Sequence, residues 1–282
     1  VTIIFPESKT YYSSDLPLNF NVTLNINTGT VKFSLDNGIN NKTMSHPDGN
    51  FLGQEFNSSN NSIADGNYTF SVYANDIWGN TNNTEKVNFT FENTDLISCA
   101  NLDFVGLTYR IIQNIQTTGS CFNITADNII LDGQGFTISG DQGFGDFGIN
   151  SIGRKNITLK NMNVTMFDVG VYFISTNNSF INNISISESS SGISLEDASN
   201  NNLSGNILSA YDSGIIIKER GKNNMIIDNY VFGGIVGINI NTQSSGNSLI
   251  NNLLSNNING LYIDSSSNNS FSRIIINNSI QD

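Results

Sequence analysis

The carboxylates best placed by type and spacing to do chemistry recur before regularly spaced glycines. Asp146, Asp168 and Asp212 each stand two residues before a glycine, and the first two are 22 residues apart. Neighbouring carboxylates could act as the acid and nucleophile of a glycosidase or share a calcium ion. In an Asp-x-Gly sequence, however, the carboxylate commonly accepts a hydrogen bond from the backbone N–H two residues on. The spacing favours this turn role, with cation binding and catalysis as the alternatives.

A second group of residues follows the same glycines. Glu196 and Lys218 each come four residues after a glycine, so they predict an ion pair between neighbouring repeats, of small energy if it is exposed. Tyr172 and Tyr262 each come two residues after a glycine. They predict outward-facing rings that could stack on sugars, with ordinary surface aromatics as the alternative.

The sequence offers few ligands to a transition metal. It has one histidine, His46, and two cysteines, Cys99 and Cys121, which do not have the C-x-x-C spacing of a metal site. In a polar chain of extracellular character, two cysteines favour a structural disulfide over two buried free thiols. No catalytic residue, metal site or cofactor is predicted.

Asn-x-Ser/Thr sequons occur fifteen times, although a chain with 49 Asn produces many of them by chance. A sequon accepts a glycan only if the chain is exported. Glycans are predicted on outward strand positions and bends. The candidate sites are Asn21, Asn41, Asn57, Asn60, Asn67, Asn82, Asn88, Asn156, Asn177, Asn202 and Asn268.

Composition limits the partners of the chain. Its 282 residues carry 12 Lys and Arg against 24 Asp and Glu, a net charge of -12, and this sign disfavours nucleic acid and anionic membranes. Charged residues make up only 13%, and the polarity comes from Asn, Ser and Thr, which disfavour long helices. An all-β fold is therefore predicted. No apolar run reaches the roughly 18 residues of a membrane span.

Residues 1–92 are predicted to form a small β-sandwich. Apolar and polar residues alternate from Leu18 to Ile26, as in a half-buried strand, and the alternation returns around Phe70 and Phe89. Turn sequences such as Asp65-Gly66 separate these segments. Short strands repeated every 10 residues or so, as here, are typical of a sandwich.

Residues 93–282 are governed by a repeat. Six glycines recur at intervals of 22 or 23 residues, with apolar residues one and three positions after most of them. Leucine-rich repeats have a similar period, but their Leu-x-x-Leu-x-Leu pattern and helical half are missing from the sequence. The repeat predicts a right-handed, single-stranded parallel β-helix of about 22–23 residues per coil, with an N-terminal cap at about 93–127. The glycines are Gly148, Gly170, Gly192, Gly214, Gly237 and Gly260.

Asparagine also recurs once per repeat and predicts an asparagine ladder. Stacked Asn side chains can donate amide hydrogens to the next carbonyl up the stack and to the backbone at a bend. Asn183 would then lie inside the stack, where a glycan has no room. The predicted ladder consists of Asn161, Asn183, Asn206, Asn229 and Asn252.

The first segment resembles the Ig-like modules common on archaeal and bacterial surface proteins. The residues that carry this resemblance are Ile3 to Pro6, Thr10-Tyr11, Phe33 to Asp36 and Asn67 to Asn80. An Ig cysteine pair is missing, so the likeness is to the sandwich. The resemblance implies a prokaryotic, and more narrowly an archaeal, cell-surface protein.

The second segment resembles the pectate-lyase-like family of parallel β-helix proteins. The residues that carry this resemblance are Thr118 to Ile124, Asn128 to Gly133 and Thr137-Ile138. They look like the first coil and cap of such proteins. Because Cys99 precedes Cys121 by about one coil, a disulfide between them would join the cap to that coil across a feasible Cα separation.

The resemblance implies that enzymes of this family cut polysaccharides. Polygalacturonase-like members would need Asn-Thr-Asp, an Asp-Asp pair and Gly-His-Gly on successive coils. Of these strings the sequence contains only Asn93-Thr94-Asp95, at the junction before the coils, and its single histidine lies in the other segment. The sequence therefore predicts that the chain is not an enzyme.

The predicted function is that of an extracellular, N-glycosylated structural protein that assembles at the surface, as a head-to-tail filament or a surface layer. The N-terminal strand Val1 to Phe5 would dock on an open last coil at Phe271 to Asp282, because an uncovered coil end recruits other strands. The alternatives are a glycan-binding adhesin module and a polysaccharide lyase or glycoside hydrolase. The predicted partners are further copies of the chain and, as a second possibility, glycans.

Overall fold

The computed structural model describes residues 1–25, 28–46 and 55–277. Within these ranges the regular structure is all strand apart from one short 3-10 helix, Ser13–Asp15, so the predicted all-β fold is confirmed. The chain divides into two compact units, Val1–Thr94 and Asp95–Asp282.

In the first unit the strands form two sheets. One has the order β1-β3-β6, and the other has the order β2-β9-β7-β4-β5 with β8 paired to β7. The strands are β1 Thr2–Phe5, β2 Thr10–Tyr12, β3 Leu18–Thr23, β4 Thr28–Ser34, β5 Lys42–Thr43, β6 Glu55–Asn60, β7 Gly66–Asp76, β8 Thr81–Asn82 and β9 Lys86–Glu92.

A core of aromatic side chains holds this unit together. Phe20 stacks on Phe33 and on Phe70, with ring centroids 5.0 and 5.1 Å apart, and all three side chains are buried. The alternation that starts at Leu18 directs its apolar side chains into this core; Ile26, its last position, lies outside the described residues.

The N-terminal strand is occupied within its own unit. Thr2 pairs with Thr23 and Ile3 with Val22 in the antiparallel contact of β1 with β3. Val1 to Phe5 is therefore part of the sandwich, where β1 is an edge strand of its sheet, and its docking on another molecule stays a prediction.

In the second unit the strands form one coiled, 21-stranded parallel sheet. The early strands are β10 Asp95–Leu96, β11 Ala100–Leu102, β12 Thr108–Ile111, β13 Ile115–Gln116, β14 Phe122–Ile124, β15 Ile130–Asp132, β16 Thr137–Ser139, β17 Phe147–Ile152, β18 Thr158–Thr165, β19 Val169–Ile174 and β20 Phe180–Glu196. The later ones are β21 Asn202–Ser204, β22 Ile207–Lys218, β23 Met225–Ile227, β24 Tyr230–Phe232, β25 Val236–Ile240, β26 Ser248–Ile250, β27 Leu253–Ser255, β28 Asn259–Ile263, β29 Ser270–Ser272 and β30 Ile275–Asn277.

The predicted right-handed parallel β-helix is confirmed. Each later coil carries three short strands, and each strand pairs in parallel with its equivalent one coil on, as β23 does with β26, β24 with β27 and β25 with β28. The repeat had indicated only the strand that follows each glycine. Its two apolar columns point inward and are fully buried up to Ile238 and Ile240, as Ile193 and Leu195 show.

The segment expected to be a cap is itself coiled. Ala100 pairs with Phe122 and Leu102 with Ile124 in the parallel contact of β11 with β14. Cys99 and Cys121 precede these pairs at equivalent positions and form the predicted disulfide, with their Cα atoms 4.5 Å apart. The bond therefore joins two neighbouring coils.

The glycine column reflects the close approach of neighbouring coils. A Cβ atom on Gly214 would lie 2.8 Å from the carbonyl oxygen of Gly237, and one on Gly237 would lie 2.5 Å from that of Gly260. Real Cβ atoms do not approach backbone so closely. Glycine recurs here because a side chain at this position would meet the next coil.

The asparagine ladder is shorter than predicted. Asn229 Oδ1 accepts hydrogen bonds from the backbone N–H and the Nδ2 of Asn206, at 3.0 and 2.9 Å, and Asn252 Oδ1 does the same for Asn229. The equivalent position one coil before Asn206 is Ile184, whose N–H donates to Asn206 Oδ1 at 3.0 Å. The predicted ladder is therefore correct for Asn206, Asn229 and Asn252 only.

Asn161 and Asn183 lie one residue before the ladder, on the bend. Their φ angles are 57° and 52°, a left-handed conformation that Asn tolerates better than most residues. Asn183 is exposed, and its Nδ2 donates to Asn161 Oδ1 at 2.8 Å. The predicted position of Asn183 inside the buried stack is therefore wrong, because the counted spacing did not separate the bend residue from the buried residue after it.

A second buried ladder was not predicted. Asn201, Asn224 and Asn247 each donate Nδ2 to the Asn side-chain oxygen one coil on, at 3.0 to 3.1 Å, and the column ends at Asn269. Each Asn of this second ladder follows an Asn or Gly in the sequence, as with Asn200 and Gly246, and these preceding residues have positive φ. This pattern was visible in the sequence.

Replacing a buried ladder residue should destabilise the second unit. Asn229→Ala leaves backbone and side-chain groups without partners, and we expect a loss of about 3 kcal/mol in unfolding free energy. Asn182→Ala, at an outward strand position, should cost less than about 0.5 kcal/mol. Urea unfolding followed by circular dichroism compares the two variants, and equal losses would contradict the structural role of the ladder.

Candidate functional site

Successive coils align their outward side chains in two columns beside the glycine column. We call this surface the tyrosine face. It is formed by β17, β19, β25, β28 and the C-terminal parts of β20 and β22. One column consists of Asn150, Tyr172, Ser194, Ile216, Asn239 and Tyr262, and the other begins with Ile152, Ile174, Glu196 and Lys218.

Tyr172, Glu196 and Lys218 come from three successive coils and meet on this face. Tyr172 Oη donates a hydrogen bond of 2.5 Å to Glu196 Oε2, and Lys218 Nζ lies 3.1 Å from the same oxygen. The ammonium group is also 5.8 Å from the centre of the Tyr172 ring. The ion pair of Glu196 with Lys218 is therefore present, and the tyrosine adds a third group.

These contacts define the protonation states at neutral pH. Burial, together with the bond to Glu196, raises the pKa of Tyr172 above its usual value, so the phenol keeps its proton. The bond from Tyr172 lowers the pKa of Glu196; burial opposes this change, and Lys218 lowers the pKa further. The face thus presents a neutral hydroxyl, a carboxylate and an ammonium group side by side.

Two more features of the face bear on ligand binding. The ring of Phe147 stacks on that of Tyr172 with centroids 4.9 Å apart, which holds the tyrosine ring in place. Asn150 precedes Tyr172 in the column, and its buried Oδ1 has no hydrogen-bond partner among the described residues. Tyr262, at the other end of the column, is 46% exposed.

The three aspartates of the sequence analysis do not form an acidic site. Asp146 and Asp168 directly precede β17 and β19, while Asp212 lies within β22. Asp168 Oδ2 accepts the backbone N–H of Gly145, a residue of the preceding coil, at 2.9 Å. The expected bond to the N–H two residues on is therefore replaced at Asp168 by a bond between coils, because strands and not turns follow these residues.

The ion pair of Asp132 with Lys160 was not predicted from the sequence. Asp132 Oδ2 lies 3.0 Å from Lys160 Nζ, and Asp132 Oδ1 accepts bonds from Gln134 N–H and Asn161 Nδ2. Burial raises the pKa of Asp132, but these partners outweigh it and the pKa is lowered. Lys160 follows Asp132 by 28 residues, so the 22- to 23-residue period did not reveal the pair.

Solved structures similar to this chain include an exopolygalacturonase, an alginate lyase and the enzymatically active domain of a phage tailspike. An exopolygalacturonase from Thermotoga maritima matches with TM-score 0.46 and 10% identity over 62% of this chain and 55% of its own. An alginate lyase from a Paenibacillus species matches with TM-score 0.40 and 14% identity over 56% and 76%. The enzymatically active domain of tailspike protein 2 of bacteriophage CBA120 matches with TM-score 0.45 and 18% identity over 62% and 38%.

These matches correct one prediction. The prediction that the chain is not an enzyme is contradicted, because the structures that match its fold include polygalacturonases and an alginate lyase. The identities show the fold alone. This chain also covers only 38% and 55% of the tailspike domain and the exopolygalacturonase.

A family model described as periplasmic copper-binding protein (NosD) matches residues 101–280. No curated protein matches the chain. The described residues do not fit copper: no group of three or more His, Cys, Asp or Glu side chains among them could hold a metal ion. Cys99 and Cys121 are joined in the disulfide, and His46 lies in the first unit.

Acid should remove the contribution of Glu196 to stability. A carboxyl group whose pKa is lowered on folding stabilises the fold above its unfolded pKa, here 4.5, and loses this effect as the pH falls through the folded value. Glu196→Gln should lower stability at pH 7 by about 0.5–1 kcal/mol, and the difference from wild type should shrink as the pH falls below 4.5 and vanish once the pH is below the folded pKa of Glu196.

Melting temperatures from pH 3 to 8 test this expectation. Glu188→Gln, which changes an exposed acid of the same strand, is the matched control and should show no such dependence. A difference between wild type and Glu196→Gln that is the same at every pH would contradict the assignment.

Proposed function

The chain belongs to the NosD family, whose model covers most of its β-helix, and we propose that it binds an extended carbohydrate along the tyrosine face. The observation that carries this proposal is the meeting of Tyr172, Glu196 and Lys218 on three successive coils. The sequence analysis left two finer alternatives, a role in surface assembly and a role as a glycan-binding adhesin.

The groups on this face match the chemistry of sugars. A carboxylate accepts hydrogen bonds from sugar hydroxyls, and an ammonium group donates hydrogen bonds to them. Such charge-assisted bonds are stronger than neutral ones. The Tyr172 ring, held by Phe147, offers an apolar surface to the C–H face of a sugar ring.

The repeat of the coils favours a chain-like ligand. Neighbouring coils stand about 4.8 Å apart, so Tyr172 and Tyr262, four coils apart, are separated by roughly 19 Å along the face. Between them lie Ile216 and Asn239, both partly exposed. A linear polymer of sugars follows such a row, whereas a small compact ligand would contact only one or two coils.

A location outside the cytoplasm supports this proposal. The matched family is described as periplasmic, and the Cys99–Cys121 disulfide is typical of oxidising compartments. No helix in the described part of the chain is long and apolar enough to span a membrane. We place the protein in the periplasm or outside the cell, where polysaccharides are present.

Carbohydrate binding is tested with an array of oligosaccharides of galacturonate, mannuronate, glucose and N-acetylglucosamine, followed by calorimetric titration. Tyr172→Ala should weaken binding at least tenfold, about 1.4 kcal/mol, because it removes both the ring and the donor to Glu196. Tyr211→Ala changes a tyrosine that is 60% exposed outside the tyrosine face and should leave affinity unchanged.

Two results would count against the proposal. One is an array on which no oligosaccharide is bound. The other is an equal loss of affinity in Tyr172→Ala and Tyr211→Ala, because the tyrosine face would then have no special part in binding.

Self-association is a second proposal, and it has its own observation. Ile263 and Phe271 are 41% and 43% exposed, whereas their equivalents one coil earlier, Ile240 and Leu249, are fully buried. Within the described residues, the apolar side chains of Ile263 and Phe271 are thus partly exposed. Residues 278–282, the end of the segment on which Val1 to Phe5 was expected to dock, lie outside the described residues.

Light scattering over a range of concentrations tests self-association. The mass should rise with concentration, and Phe271→Gln should shift the rise to higher concentration because it removes exposed apolar area. Phe144→Gln, which changes a residue 99% exposed in a loop, is the control. A monomer at all concentrations would exclude this proposal and leave the carbohydrate proposal untouched.

A further inference from the structure

Two sequons face each other across neighbouring strands of the first unit. In the antiparallel register of β7 and β9, Asn67 pairs with Thr90 and Thr69 pairs with Asn88. Thr90 Oγ1 donates a hydrogen bond to Asn67 Oδ1, and Thr69 Oγ1 donates one to Asn88 Oδ1, both at 2.8 Å. Each asparagine therefore uses its carbonyl oxygen, and the donor is the hydroxyl of the opposite sequon.

This pairing leaves the amide nitrogens free. Asn67 and Asn88 are exposed, and within the described chain neither Nδ2 donates a hydrogen bond to protein. Because the oxygen of each amide is held by a threonine, the Nδ2 on its other side turns away from that partner. An Asn Nδ2 is the atom to which an N-linked sugar is attached.

A groove lies directly over the pair. It is open, has a volume of about 550 Å³ and includes Lys9 and Tyr68 in its lining together with both sequons. The first sugar of a glycan on either asparagine would have room in it. Lys9 can donate to sugar hydroxyls, and the partly exposed Tyr68 ring offers an apolar surface.

In two sequons of the β-helix the asparagine donates a hydrogen bond from its Nδ2. Asn156 Nδ2 donates to Asn128 Oδ1 at 2.9 Å, and Asn183 Nδ2 donates to Asn161 Oδ1 at 2.8 Å. Both residues sit on bends with positive φ. A sugar on either nitrogen would stand between neighbouring coils and disturb these bonds.

From these contrasts we infer that Asn67 and Asn88 form a paired N-glycan attachment site, whereas Asn156 and Asn183 stay unmodified. In the transfer, a bond forms between the Nδ2 and the anomeric carbon of a lipid-linked oligosaccharide. The bond from that carbon to the lipid phosphate breaks, its electron pair stays on the departing phosphate oxygen, and the proton that the Nδ2 loses passes to water. The remaining amide hydrogen stays on the nitrogen, and the hydrogen bonds from Thr69 and Thr90 are retained in the folded product.

This assignment revises the sequence-based expectation for Asn156 and is independent of carbohydrate binding by the β-helix. It places the covalent sugars on the outer surface of the β2-β9-β7 part of the sheet. The tyrosine face of the second unit carries Tyr172 and Glu196 without a sequon asparagine beside them in either column.

Glycopeptide mapping of protein purified from the cells that make it tests the assignment directly. Wild type should show glycans on Asn67 and Asn88 and none on Asn156 or Asn183. Asn67→Gln and Asn88→Gln should each remove the mass of one glycan, and the double variant should remove two. Asn19→Gln, an exposed strand position outside any sequon, should leave the mass unchanged.

The wild-type map decides the matter even if a variant fails to fold. Unmodified Asn67 and Asn88 would overturn the assignment. A glycan on Asn156 or Asn183 would overturn the argument from the committed Nδ2 atoms. Thr69→Ser and Thr90→Ser retain both the sequon and the hydroxyl, so each should retain both glycans.

Discussion

The β-helix depends on satisfying the polar backbone at its bends. Each bend turns the chain between neighbouring coils, where a buried N–H or C=O without a partner costs about 1–3 kcal/mol. Asparagine meets this need with one side chain. Asn206 shows how: its oxygen accepts the N–H of Ile184 and its Nδ2 donates to the carbonyl of Ile181. Stacked asparagines extend the arrangement from coil to coil.

Register between coils follows from these bonds and creates the tyrosine face. Residues 22 to 24 positions apart become neighbours because the strands of each coil pair in parallel with those of the next; the ladders and the glycine column add to this register. Tyr172, Glu196 and Lys218 therefore meet without any loop to carry them. A rigid strand face with a row of outward side chains suits a linear ligand, since each coil adds one contact.

The two units use the same residue type for different purposes. In the β-helix, asparagine amides such as those of Asn183 and Asn229 donate to the neighbouring coils. In the sandwich, Asn67 accepts a hydrogen bond from a threonine and keeps its nitrogen exposed.

The description of the matched family names copper, but the described residues supply no set of three or more His, Cys, Asp or Glu ligands for it.

Composition by itself determined the all-β class. The period determined the coil length and the buried columns, because equivalent residues of successive coils recur at a constant spacing in the sequence. The pairing of Cys99 with Cys121 also followed from the sequence. Spacing also placed Glu196 beside Lys218. It did not reveal the bond from Tyr172, the second ladder at Asn201, or the exposure of Asn183. These depend on which residue of each bend turns outward, and a shift of one position exchanges a buried side chain for an exposed one. Only the three-dimensional stacking of the coils decided that.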